Sequence, residues 1–237
     1  MKENVILEIR HLQKGYKNLP VLKDVTFQIL QGRIMGLIGK NGVGKTTLMK
    51  SVLGLNTSYQ GEIFFHGKKM DVSNEKMKQK IGSLVDVSFY EDMTAYQNMK
   101  AIMMLTKSVK ASERDGRIHK LLSFVGLENA GKKSVRSFSF GMKQRLALAQ
   151  TLITKPDLLV LDEPFVGLDP VGIEDVKGLL QQLCRENKTS IIFSSHQLNE
   201  VCDLADDSVV LNEGTIKYSD TCENMKNEGA SLVELMR

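Results

Sequence analysis

Gly39-Lys40-Asn41-Gly42-Val43-Gly44-Lys45-Thr46-Thr47 follows an apolar run, Ile34-Met35-Gly36-Leu37-Ile38, that reads as a buried strand. Behind it Leu48, Met49, Val52, Leu53 and Leu55 recur at helical spacing. Strand, glycine-rich loop and helix with the spacing G-x-x-x-x-G-K-[ST] make a phosphate-binding P-loop. Gly39, Gly42 and Gly44 let the backbone turn tightly and aim successive N–H groups at one centre, which makes an anion nest. Lys45 falls in the first helical turn, where the positive end of the helix dipole disfavours a cation unless an anion lies between them. Together with Asn41, Thr46 and Thr47, these residues predict a nucleoside triphosphate site.

The chain around this loop has 237 residues, enough for one large domain with a sizeable core. Hydrophobic residues make up 42% and charged residues 25%, as in an ordinary globular protein. A net charge of +4 without any run of five Lys or Arg is too small an excess to argue for nucleic acid, so no nucleic-acid partner is expected. Cys184, Cys202 and Cys222 lie far apart with no metal-ligand spacing, which argues against a disulfide framework and a zinc site. There is no apolar signal core at the amino terminus, and no apolar stretch of about 18 residues. The expectation is a cytoplasmic protein that reaches a membrane only through a partner.

Outward from the P-loop, Val5 to Arg10 and Val25 to Leu30 read as antiparallel strands, and Gly61 to Lys68 as a further strand and turn. Ile81 to Val85 is a short strand. From about Ser88 to Thr154 the pattern becomes helical: Thr94, Ser112 and Ser139 are each placed to cap a helix. Buried strands then return at Leu158 to Leu161 and Ser190 to Phe193, with a helix carrying Val176, Leu180 and Leu183 between them, and a terminal hairpin near Glu213-Gly214. Strands alternating with helices imply an α/β fold with a mostly parallel, covered sheet. The expected layout is a single domain: an α/β core from 1–87 and 155–219 with an N-terminal antiparallel edge, an inserted helical subdomain at 88–154, and a short helical tail at 220–237.

The strand at Leu158 ends in Asp162-Glu163-Pro164. An Asp at that place can hold Mg²⁺ beside the Thr46 hydroxyl. Glu163 can orient and polarise a water, which points to hydrolysis rather than binding alone. Ser139-Phe140-Gly141-Met142-Lys143-Gln144-Arg145 opens a helix whose serine and free N–H groups make a second anion site. It comes nearly a hundred residues after the first, and one chain need not bring both to the same phosphate.

In order and spacing, these segments resemble the ATP-binding cassette (ABC) transporter ATPases from about Val5 to Tyr218. The match runs through the P-loop, the signature at Ser139–Arg145, the acid-ended strand, a D-loop at Gly167-Leu168-Asp169-Pro170, and a switch histidine, His196. The resemblance implies that Tyr16 stacks on adenine and that His196 contacts the γ-phosphate and supports Glu163. It also implies that two copies pair head to tail, so that Ser139 and Gly141 grip ATP held by the other copy, with Asp169 at the seam. ATP and Mg²⁺ are the expected cofactors, and a homodimer with a separate transmembrane permease the expected assembly.

Two departures from the family pattern matter, one in the signature, where Met142 also stands in place of the usual glutamine, and one at Asp86. Phe140 stands where a glycine is usual, so that position need not adopt φ > 0. Asp86 stands where most members have a glutamine that touches Mg²⁺ and the attacking water; a carboxylate can still ligate the metal, and it would bring a third acid near Asp162 and Glu163. Both departures are similar to those of the bacitracin and lantibiotic self-protection exporters. The implied function is the ATP-hydrolysing subunit of an exporter of antimicrobial peptides, with Phe89, Tyr90, Met93, Tyr96 and Met99 as candidates to receive a helix of the permease. The alternative is a soluble ABC-type ATPase acting on ribosomes or DNA, most of which carry two cassettes or a coiled-coil insertion absent here.

Overall fold

The chain enters through two long antiparallel strands, β1 (Val5–Tyr16) and β2 (Leu19–Leu30), in a computed structural model that describes residues 4–17, 19–106 and 109–227. Both strands run further than the alternation of apolar residues predicts. Register shifts between Ile9 and Leu12 and again around Lys14 absorb the polar residues, with His11 at φ +51°. Such bulges let a strand continue while Leu12 and Leu22 stay on the buried side.

β3 (Ile34–Ile38) leads to the P-loop and to α1 (Lys45–Val52). β4 (Gln60–Phe65), β5 (Lys68–Lys69), the short α2 (Glu75–Lys78) and β6 (Ile81–Leu84) follow. Three helices then occupy the region read as helical: α3 (Ala95–Leu105), α4 (Arg114–Phe124) and α5 (Phe140–Thr151). The expected cap at Ser112 is not made, because Ala111–Glu113 forms a 3₁₀ turn and α4 starts after it. β7 (Leu158–Leu161), α6 (Pro170–Asn187), β8 (Ser190–Ser195), α7 (Leu198–Leu204), β9 (Asp207–Asn212), β10 (Thr215–Thr221) and α8 (Cys222–Asn227) complete the described chain. Residues 228–237 of the expected tail lie outside the described residues.

Among the described residues, the strands form one sheet in the order β5-β4-β1-β2-β10-β9-β3-β8-β7-β6. From β9 to β6 every neighbour is parallel, whereas β5, β4, β1 and β2 make an antiparallel edge. Parallel strands are buried on both faces, and β7 shows why its four residues are all apolar. Leu158 and Val160 pack with Leu48, Met49 and Val52 of α1 on one face. Leu159 and Leu161 pack on the other face with Met99, Leu122 and Leu146 of α3–α5 and with Val176 and Val201 of α6 and α7. Helix α7 comes so near β3 that a methyl group on Gly36 would lie 2.1 Å from Val201 Cγ1.

Among the described residues no helix is long and apolar enough to cross a membrane. All three cysteines are free thiols, and burial pushes that of Cys222 up to about 11.

Candidate active site

The carboxyl ends of β3, β7 and β8 lie side by side, and the loops leaving them build the site. The loop after β3 reaches α1 through Gly44, whose φ of +114° is accessible to glycine and forbidden to most residues. No side chain caps α1, so its first N–H groups remain available to an anion. Gly42, at φ +82°, has open space where a Cβ would stand. Gly39 serves another need: a Cβ there would come within 2.6 Å of the Leu211 carbonyl.

Lys45 is 5% exposed. Its ammonium donates to the Gly39 carbonyl at 2.6 Å and the Lys40 carbonyl at 3.3 Å, and lies 3.1 Å from Glu163 Oε1. The charge is thus folded back over the loop against loop carbonyls and a carboxylate.

β7 delivers Asp162 and Glu163. Thr46 Oγ1 donates to Asp162 Oδ2 and Ser194 Oγ to Asp162 Oδ1, both at 2.6 Å. Glu163 takes a left-handed backbone at φ +47°, rare outside glycine, and its N–H donates to Ser194 Oγ at 2.8 Å. Ser194 therefore fixes both acids, a role its apolar strand gave no reason to expect. Next to them Phe165 is anchored edge-on to Phe193, 5.6 Å between ring centres, a pairing worth about 0.5–1.5 kcal/mol beyond its burial.

His196, just past β8, places Nδ1 3.1 Å from Glu163 Oε2. The other oxygen, Oε1, is buried and lacks a hydrogen-bond partner, because Lys45 is near it without hydrogen-bond alignment. The Lys45 charge offsets its burial, and its hydrogen-bonding capacity is left for a ligand group.

Tyr16, Asn41, Gly42, Gly44, Lys45, Thr46, Thr47, Asp162 and Glu163 line one cavity of about 340 Å³. The Tyr16 ring is 45% exposed, carries Lys14 Nζ 4.8 Å from its centre, and accepts at its hydroxyl from Asn56 Nδ2.

Ser139 and Gly141 do not join this cavity. Ser139 caps α5, accepting from the Met142 N–H at 3.3 Å, and lines a different cavity of about 410 Å³ with Gly141, Gly167 and Asp169. Phe140, at the start of α5, is absent from the residues with positive φ.

Asp86, expected beside Thr46 and Asp162, has its carboxylate 2.6 Å from Lys50 Nζ. A left-handed backbone at φ +52° aims the side chain, and Lys50 in the last turn of α1 is the cation it finds. The pairing holds the Lys50 ammonium above the usual lysine range. Among the described residues no three carboxylate, imidazole or thiol groups converge as a metal cluster.

Of the permease-facing candidates, Tyr90 and Met93 are exposed, while Met99 is fully buried in the core. Asn98, also buried, accepts from the Tyr90 N–H and donates to the Tyr90 and Thr94 carbonyls, which holds the turn before α3.

The family model "ABC transporter" matches residues 22–166, from within β2 to the turn after Glu163. This chain belongs to the ABC transporter family. It is 40% identical over 225 residues to the lantibiotic transport ATP-binding protein SrtF of Streptococcus pyogenes, across 93% of this chain and 94% of that protein. It is 36% identical over 210 residues to the bacitracin transport ATP-binding protein BcrA of Enterococcus faecalis, across 88% and 67%. Its fold matches cbiO1 of Clostridium perfringens, part of the ABC transporter complex cbiONQ, with a TM-score of 0.86 and 28% identity over 98% and 95% of the two chains. This ABC protein is accordingly an ATP-binding, ATP-hydrolysing subunit, and relatives of this kind favour the transporter reading over one on ribosomes or DNA.

Proposed function

We propose that two copies of this ABC ATPase close head to tail over two Mg·ATP and so drive a separate permease that exports antimicrobial peptides of the bacitracin or lantibiotic kind. Each ATP would be held between the P-loop of one copy and the Ser139 helix of the other. The observation that carries this is the separation of the two anion sites: the P-loop cavity and the Ser139 cavity have no lining residue in common. Each is half of a site, and a second copy supplies the missing half. The export of peptide antibiotics rests on the names of the relatives at 36% and 40% identity. Working through a permease places the subunit on the inner face of the membrane, with exposed Tyr90 and Met93 at the receiving surface.

The P-loop residues fit a triphosphate. The glycine cradle and uncapped α1 offer N–H groups, and Lys45 can exchange loop carbonyls for phosphate oxygens. Tyr16 presents an aromatic face at the rim. Thr46 and Asp162 bring two hard oxygens 2.6 Å apart, the donor chemistry suited to Mg²⁺ that keeps waters and phosphate oxygens as its other ligands. When bound, Mg²⁺ would neutralise charge developing on the phosphate oxygens. Glu163 Oε1, buried beside the Lys45 ammonium and accepting no hydrogen bond, is the acceptor for a proton from the attacking water. His196 holds the other oxygen and with it the orientation of the carboxylate.

Glu163→Gln tests this reading. It keeps shape but loses the proton acceptor, so turnover should fall about 10²–10⁴-fold, the usual worth of a general base. ATP binding should persist, and light scattering in saturating Mg·ATP should show a dimer. A monomer under those conditions contradicts the proposal.

A further inference from the structure

The first half of α5 is fastened along its length to the segment that leads from Glu163 to α6. Gln144 Nε2 donates to the Pro164 carbonyl at 2.7 Å. A methyl group on Gly167 would lie 2.9 Å from Phe140 Cε1, and one on Gly141 would lie 3.5 Å from Leu168 Cδ2. Further along, Arg145 stands 3.7 Å from Asp175. Gly167 meets two demands at once, a φ of +77° and the close approach of the Phe140 ring. The ring is still 54% exposed and forms part of the cavity wall with Ser139, Gly141 and Asp169.

We propose that Phe140 is a positioning residue: its ring locks the Ser139 turn to the Gly167–Asp169 segment, so that the nucleotide site of one copy sets the half-site which that copy lends to the other. The inference rests on the head-to-tail dimer proposed above. Glu163, Pro164, Phe165, Val166 and Gly167 are consecutive, so a shift at Glu163 reaches Gly167 through a short stretch of chain. That stretch is itself tightly turned, with the Val166 N–H on the Glu163 carbonyl and the Leu168 N–H on the Phe165 carbonyl. At Gly167 the shift meets a bulky ring on the first residue of α5. With glycine at both positions, 140 and 167, a gap would stand where the ring now transmits contact. The departure from the family signature then has a purpose: side-chain packing near Ser139 where the usual glycine offers none.

The test uses the full chain as wild type, Phe140→Gly and Phe140→Leu. ATP hydrolysis is followed against ATP concentration for the Hill coefficient, and Mg·ATP-dependent dimerisation by analytical ultracentrifugation in the Glu163→Gln background. Phe140→Gly should bring the Hill coefficient from above 1 down to about 1, two sites no longer coupled. It should also raise the ATP concentration for half-maximal dimerisation about tenfold, inside the ~5–150-fold range of site–site couplings. Phe140→Leu, which refills most of the space over Gly167, should restore both values to within about twofold. Melting temperatures report separately that each variant folds.

A Phe140→Gly chain with wild-type cooperativity and dimerisation overturns the inference, as does a Phe140→Leu chain that behaves like Phe140→Gly. So does a wild-type chain that dimerises but hydrolyses ATP with a Hill coefficient of 1. A Glu163→Gln chain that stays monomeric while Phe140 is unaltered brings down the dimer reading itself, which marks that failure off from the others.

Discussion

Asp86 and Glu163 are two acids in left-handed conformation close to the same loop, and what meets each carboxylate separates their roles. Glu163 is mostly buried between Lys45 and His196, with one oxygen that accepts no hydrogen bond. The Asp86 side chain is 69% exposed and tied to Lys50. An exposed pair of this kind is screened by solvent and adds little, so Asp86→Asn should leave the denaturation midpoint and ATP affinity unchanged. The Mg²⁺ concentration for half-maximal hydrolysis should also stay within about twofold, whereas Asp162→Asn, which strips a charge from the hard-oxygen pair, should raise it by tenfold or more. A shift of that size on Asp86→Asn would return Asp86 to the metal. The substitution should act instead on transport-coupled hydrolysis, through Lys50 in the last turn of the helix that follows the P-loop. Spacing along the sequence located both acids but could not aim them, because a side chain's direction follows from backbone dihedrals that residue type does not reveal. Ser194 escaped notice for a related reason. A serine in a buried strand looks like any small polar residue until β8 is seen beside β7, where its hydroxyl reaches Asp162 and the Glu163 N–H.

At the scale of elements, local signals succeeded where one residue type controls the backbone. Thr94 caps α3 as its sequence predicts, and Gln97 completes a capping box: the Gln97 N–H donates to Thr94 Oγ1 and the Thr94 N–H donates to Gln97 Oε1. Thr94→Ala should cost about 1 kcal/mol, within the ~0.5–2 kcal/mol range for such caps, read as a lower denaturation midpoint with an unchanged denaturant slope. No loss of midpoint would mean that α3 is held by Met99, Met103 and the Asn98 network without help from its cap. Where many residues share control, the sequence was less legible. The ends of β1 and β2 were hidden by bulges, since a single extra residue moves every later side chain to the other face and erases the alternation. The start of α4 was displaced because Ser112 sits in a 3₁₀ turn, in which Glu113 takes the place before the helix.

At the scale of the whole molecule, the separation of the P-loop and Ser139 cavities makes a prediction that no single copy could satisfy. In a symmetric head-to-tail dimer, each complete site takes its P-loop from one copy and its Ser139 helix from the other. Consider two chains, both carrying Glu163→Gln to stop turnover, one with Lys45→Ala and the other with Ser139→Ala. Alone, neither chain can build a complete site, and neither should retain radiolabelled ATP through gel filtration. When the two are mixed in equal amounts, half of the dimers pair unlike chains, and in each of those one site of two is whole. The mixture should therefore retain about a quarter of the ATP held by the unmutated Glu163→Gln dimer, from random pairing of symmetric subunits. If the P-loop and the Ser139 helix of the same chain served one ATP, mixing would rescue nothing. Retention no higher than that of the separate chains thus rejects the shared site, whereas rescue places the two halves of each site on different copies.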